Sequence, residues 1–328
     1  PAQQGLARLS MAFAQSFNAQ NHLGIDLSGN LGGDIFNDIN SSNAINNRTI
    51  ANANNTGSGA FTVNINDVSQ LQVSDYKLSI GAGNTYVLTR ASDNSVVSSG
   101  TLSGSFPQTV SADGFTLNVN GGTFSAGDQY TISPTNGGAN NFVLATSDPA
   151  KLALGWPVAA AVGTQAQGST GVIHVTDVTD TTNSAFSVAK QLNPPVIVKF
   201  QTATTYELIN ANTSAVIESG ISYTPDASIF PTPGGYNPGY QVSLSGKIQA
   251  GDTFNIKYNT NQGSNDNGLK MAALYQKQIL QNNSLTFSQG YGAVSSHISI
   301  LTNQAQSGYE ATQALNMQAE SRRDAISG

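Results

Sequence analysis

The stretch Ala126-Gly127-Asp128-Gln129-Tyr130-Thr131-Ile132 returns 124 residues later as Ala250-Gly251-Asp252-Thr253-Phe254-Asn255-Ile256. In both, a small-Gly-Asp turn former is followed by alternating polar and apolar residues, the period of a half-buried strand. The likeness continues upstream. Asn84-Thr85-Tyr86-Val87-Leu88 resembles Thr204-Thr205-Tyr206-Glu207-Leu208, and Val96-Val97-Ser98-Ser99-Gly100 resembles Val216-Ile217-Glu218-Ser219-Gly220, both offset by 120 residues. Phe115-Thr116-Leu117-Asn118-Val119 resembles Tyr240-Gln241-Val242-Ser243-Leu244. The growth of the offset from 120 to 124 fits a longer loop in the second copy, around the Pro- and Gly-rich run Pro231 to Gly239. Two copies are too few for a solenoid, so the pattern reads as one duplicated module.

Outward from the repeat, Phe61, Val63 and Ile65 alternate with polar residues, as do Tyr76, Leu78 and Ile80. Gly81-Ala82-Gly83-Asn84 and Asn120-Gly121-Gly122 are turn signals between strands. One antiparallel β domain is expected at 58–148 and a second, of related topology, at 168–262. Residues 40–59 are crowded with Asn, Ser and Gly and read as a linker or surface loop. Trp156, the single tryptophan, precedes Pro157 in an apolar run between the β domains and reads as a packing anchor.

Both ends of the chain carry helical periodicity. Leu6, Leu9, Phe13 and Phe17 recur at spacings of three and four over residues 1–22. Asp266-Asn267-Gly268 opens a short amphipathic helix through Leu280. A longer helix is expected from about Leu285. In it Phe287, Tyr291, Val294, Ile298, Leu301, Ala305, Gly308, Thr312, Leu315, Ala319, Arg322 and Ile326 are spaced alternately by four and three. Sustained 3.5-residue spacing keeps one stripe facing a partner helix, the condition for a coiled coil. Its apolar members, Phe287, Tyr291, Val294, Ile298, Leu301, Ala305, Leu315, Ala319 and Ile326, are the candidate structural seam. Aspartate at Val294 or Leu301 is expected to bury an unpaired charge. The fold class expected is α+β multidomain. Residues 1–50 and 264–328 form a discontinuous, coiled-coil-like helical domain, with the two antiparallel β domains inserted in it.

Charged residues make up only 10% of the 328, against about 25% in an average soluble domain. Asn, Ser, Thr, Gln and Gly supply the polarity instead. Such a surface suits packing against identical copies, because neighbours repel one another little, and it suits an ordinary extracellular β protein equally well. The net charge of −6 and the lack of a basic patch argue against nucleic acid. No apolar run approaches 18 residues, so no membrane span is expected. Cysteine is absent, which removes thiol chemistry and Cys-based metal sites. The first residue is not Met and the opening residues already read as helix, so an internal fragment is expected.

No catalytic constellation emerges. His22, His174 and His297 include no i, i+4 pair and no HExxH. There is no G-x-S-x-G elbow, P-loop lysine or dinucleotide fingerprint. Gly127-Asp128 and Gly251-Asp252 could suggest calcium, but Gly-Asp at a strand entry reads as a turn whose carboxylate bonds backbone, and no EF-hand loop is present. No enzyme activity, cofactor or metal is expected.

The ends also resemble a known family. Gly5-Leu6-Ala7-Arg8-Leu9, with Phe17-Asn18-Ala19-Gln20-Asn21-His22-Leu23-Gly24-Ile25-Asp26-Leu27-Ser28-Gly29, is similar to the helix-to-loop segment of the flagellar hook-associated protein 1 family. Gly32-Gly33-Asp34-Ile35-Phe36 resembles its continuation. Ser74-Asp75-Tyr76-Lys77-Leu78 and Gly127 through Thr135 resemble its β-domain motifs. Leu301-Thr302-Asn303-Gln304-Ala305 and Gln318 through Gly328 resemble the stretch before its last helix. The resemblance implies a structural subunit that joins hook to filament, exported by the flagellar type III pathway and located outside the cell at the hook–filament junction. It implies self-assembly with identical subunits, hook protein and hook-associated protein 3 as partners, and terminal helices lying outside this chain. The rival readings are another axial protein, of the hook-associated protein 3 or flagellin type, a secreted adhesin or binding module of repeated β domains and, third, an enzyme, which a polar cleft would reveal. A long terminal seam distinguishes the axial proteins from the adhesin.

Overall fold

The computed structural model describes residues 2–230, 235–261 and 263–328. Among the described residues the α-helices are α1 (Ala2–His22), α2 (Ser42–Asn46), α3 (Asp266–Ala273) and α4 (Phe287–Ser327). The first strands are β1 (Thr49–Ala51), β2 (Ala60–Ile65), β3 (Tyr76–Ile80), β4 (Thr85–Arg90), β5 (Val96–Thr101), β6 (Gln108–Ala112), β7 (Phe115–Gly121) and β8 (Gln129–Ile132). The later ones are β9 (Val158–Val162), β10 (Val172–Val178), β11 (Val196–Phe200), β12 (Thr205–Asn210), β13 (Val216–Ser222), β14 (Tyr240–Ser245) and β15 (Thr253–Tyr258). All pairings are antiparallel.

The chain divides into two compact units. The first comprises residues 1–14, 38–143 and 275–328, and the second residues 15–37 and 144–274. The helical ends are therefore not gathered into a third body of their own. The reason is visible in the first unit, where the polar side of α1 is tied to the β module. The Gln4 amide donates to Asp75 at 2.9 Å, and Arg8 donates to the Leu71 carbonyl at 2.9 Å.

Each unit holds a five-stranded sheet and a smaller one. In the first unit the orders are β1-β8-β3-β4-β5 and β2-β7-β6. In the second they are β9-β15-β11-β12-β13 and β10-β14, with Ser228 bridging to Ser243 where a third strand would lie. Registers correspond as well. Leu78 faces Leu88 and Tyr130, as Val198 faces Leu208 and Phe254. Ile80 pairs with Tyr86, as Phe200 pairs with Tyr206. The inward residues alternate as the sequence pattern requires. Leu78, Leu88 and Leu117 bury completely or nearly so in one core, as Val198, Leu208 and Val242 do in the other. Asymmetry appears at Tyr86, which is half-buried, whereas Tyr206 is buried and its hydroxyl donates to the Ile229 carbonyl.

The boundaries read from alternation, 58 and 168, each omit one strand. β1 is too short to alternate, and β9 (Val-Ala-Ala-Ala-Val) has no polar residue to reveal its period. Residues 40–59 are accordingly more than a linker: they contain α2, β1 and Arg48, which is 1% exposed. The Arg48 guanidinium donates to Asn40 and to the carbonyls of Ile39 and Val63. Burial lowers it to about 10, against the opposing charge of Asp38. Of the long loop expected at 231–239, residues 231–234 lie outside the described residues.

The Ala-Gly-Asp turns are built alike. Gly127 and Gly251 adopt φ of +100° and +89°, where a side chain would be strained. The amide of each donates back to the preceding sheet, at the carbonyls of Ile80 and Phe200, both at 2.8 Å. The aspartate that follows is buried. Asp128 accepts the amides of Ser125, Thr56 and Gly57, and Asp252 accepts those of Ala166 and Gln249 with the Ser169 hydroxyl. Burial pushes both carboxyls up, but the donors outweigh it and hold each below its ordinary value. The same balance lowers Asp26 and Asp67. Depressed folded-state values mean that this stabilisation is present above the unfolded pKa and lost as pH falls through the lower folded values. The melting temperature, followed by circular dichroism, is therefore expected to fall as pH drops below about 4, the unfolded aspartate value.

Candidate assembly surface

α4 begins with a complete capping box. The Thr286 hydroxyl accepts the Gln289 amide at 3.3 Å, and the Gln289 side chain accepts the Thr286 amide at 2.9 Å. Two of the orphan amides at the helix start are thus satisfied from within the helix. With 41 residues the helix is about 60 Å long.

Only its first turns pack on the rest of the first unit. Phe287 is 7% exposed and meets Phe13 of α1 at a ring separation of 5.1 Å. A Cβ placed on Gly290 would lie 2.4 Å from Leu280 Cδ1 and 3.5 Å from Leu9, and one placed on Gly5 would lie 3.0 Å from Val294. Residues 13, 9 and 5 of α1 thus meet residues 287, 290 and 294 of α4 in antiparallel order. The inward row of α4 is Phe287, Gly290, Val294 and His297, of which Val294 and His297 are half-buried. Gly5 and Gly290 are the contact residues that apolar counting misses. Their signal in the sequence was a glycine one helical turn from an apolar seam position, where close helix approach demands a missing side chain.

The other seam residues point elsewhere. Tyr291, Ile298, Leu301, Ala305, Leu315, Ala319 and Ile326 are all exposed, with Tyr291 at 63% and Leu315 at 65%. Between Phe287 and Ala319 the helix carries a single formal charge, Glu310. A helix so long, apolar along one stripe and nearly uncharged, buries almost nothing within its own unit. Helices in proteins gain most of their stability from packing such a stripe against a neighbour. Gly292 and Gly308 face open space, so no close approach explains them. Gly308→Ala is expected to stabilise α4 by about 1 kcal/mol, read as increased helical ellipticity on warming.

Among the described residues, no group of three or more His, Asp or Glu could hold a metal ion. Nor is any helix there long and apolar enough to cross a membrane. His22 pairs with Asp34 at 2.9 Å at the C-terminus of α1. A cleft of about 210 Å³ lies between Gln3, Gln4, Ala7, Asp75 and the 133–140 turn. The Asp75 carboxylate on its wall already accepts the Gln4 amide. Trp156 is buried in the core of the second unit, as a packing residue.

Residues 50–134, β1 through β8, match the family model described as flagellar hook-associated protein 1, D2-like domain. The chain is 30% identical over 150 residues to flagellar hook-associated protein 1 of Escherichia coli (strain K12), covering 45% of this chain and 25% of that protein. The same protein of Salmonella typhimurium is 30% identical over 155 residues, again 45% and 25% of the two chains. The solved structure of the flagellar hook junction protein FlgK from Burkholderia pseudomallei is similar with a TM-score of 0.75 and 28% identity. That match covers 99% of this chain and 60% of the other. The matched region spans about a quarter of the length of the curated relatives.

Proposed function

We propose that this chain, a relative of the flagellar hook-associated protein 1 family, is a structural subunit of the bacterial flagellum that joins hook to filament. The observation that carries the reading is the exposed, nearly uncharged seam of α4 on a chain whose first β module matches that family. Catalysis plays no part in this role. The terminal helices act as a discontinuous, coiled-coil-like element that packs among subunits, with the seam Tyr291, Ile298, Leu301, Ala305, Leu315, Ala319 and Ile326 as its contact line. The β modules at about 58–148 and 168–262, extended by β1 and β9, are a duplicated insertion of related topology. Identical subunits, hook protein and hook-associated protein 3 are the partners, and the place of action is extracellular, reached by flagellar type III export.

The absence of cysteine offers a direct test. Ser99→Cys on the exposed edge of the first sheet, placed in the full-length protein, would be labelled on living cells with a fluorescent maleimide. One spot at the base of each filament is expected. Label along the whole filament would indicate a flagellin-like subunit, and label over the cell body an adhesin.

A further inference from the structure

Just before α4, three consecutive residues other than glycine adopt positive φ: Gln281 at 48°, Asn282 at 55° and Asn283 at 59°. Single Asn residues visit this region readily, but runs of L-residues in it are disfavoured because Cβ crowds the following carbonyl. Such strain persists only where the surroundings hold it. Here they hold one side firmly. The Asn282 amide donates to the Ser69 carbonyl at 2.8 Å, Leu280 is buried, and Leu280 and Leu285 close the turn as a bridge. Within the turn, the Ser284 amide reaches back to the Leu280 carbonyl at 2.9 Å.

On the other side stands a self-contained rigid rod. The capping box satisfies amides at the start of α4 from within the helix, and α4 meets α1 where Phe287 packs on Phe13, Gly290 lies near Leu9 and Val294 lies over Gly5. From Ile298 to Ile326 the rod is exposed. We propose that the left-handed turn Gln281–Asn283 is a swivel that sets the direction of α4 and lets the helix be re-aimed as a rigid lever. A rotation of about 10° there would carry the far end of a helix roughly 60 Å long through about 10 Å. The contacts near the pivot, Phe13 on Phe287, Leu280 on Gly290 and Val294 on Gly5, all lie within the first two turns of α4. The swivel stands apart from the assembly reading, since it concerns the isolated chain.

Paired nitroxide labels at Ser99→Cys and Gln313→Cys would report the direction of α4 by pulsed electron resonance, in the parent, in N282G/N283G and in N282V/N283V. Glycine visits both signs of φ freely, whereas a β-branched residue avoids the positive one. The glycine pair is expected to broaden the distance distribution at unchanged helix content, and the valine pair to shift its centre. Parent-like distributions in both variants would overturn the proposal, because the contacts of α4 alone would then set its direction. Should the valine pair lose helix by circular dichroism, the glycine pair decides: broadening supports the swivel, and an unchanged width overturns it.

Discussion

Replacing Asp128 with alanine is expected to destabilise the first β module by about 3–5 kcal/mol, a large fraction of a typical domain's stability. The effect comes from what is left behind. The amides of Ser125, Thr56 and Gly57 all point at this carboxylate, and each loses a charge-assisted partner at once. Asp252→Ala is expected to act comparably in the second module, where the Ala166 and Gln249 amides and the Ser169 hydroxyl lose theirs. Asparagine at either place should be milder, because one oxygen still accepts while the new amide faces donors. Hydrogen exchange separates the two modules. Asp128→Ala should speed exchange at Tyr130 and Ile132, and Asp252→Ala at Phe254 and Ile256. If alanine at either site leaves the melting temperature and these amides unchanged, the carboxylates do not organise the turns.

These aspartates also mark how far the molecule was legible in its sequence. Ala-Gly-Asp recurs because one backbone problem, entry to a central strand across a left-handed glycine, was solved the same way twice. Identical geometry leaves nearly identical letters, so the repeat could be read directly. β1 and β9 were missed for the opposite reason. Edge strands of three residues, or of Val and Ala alone, carry no alternation for a period to be counted on. Arg48 was hidden in a polar run that resembled a loop, since nothing local announces that a guanidinium will be capped by main-chain carbonyls.

The helical seam was half legible. The 3.5-residue spacing identified α4, its length and its start near residue 285. It did not say which residues face the chain's own α1, because Gly5 and Gly290 contribute by lacking side chains. Nor can spacing reveal whether a partner helix belongs to the same chain. That distinction changes the expected outcome of mutation. Val294 is half-buried over Gly5, so Val294→Asp is expected to destabilise the subunit by about 1–3 kcal/mol. Leu301 is exposed, so the expectation that aspartate there buries a charge within the subunit is corrected. Leu301→Asp should change the stability of the isolated chain by less than about 0.5 kcal/mol.

In the assembled flagellum the same substitution is expected to have the larger consequence. If the exposed seam packs against neighbouring subunits, Leu301→Asp places an unpaired charge in each of those contacts, and the penalty repeats with every copy. Val216, exposed on the edge strand β13 of the second module, lies off the seam and serves as the control. The measurement is filament retention in swimming cells whose full-length protein carries either Leu301→Asp or Val216→Asp, at matched export levels. Shed filaments and lost motility with Leu301→Asp, beside normal swimming with Val216→Asp, is the predicted result. Normal filaments with Leu301→Asp and shed filaments with Val216→Asp would contradict the account, and would place the assembly contacts on the β modules.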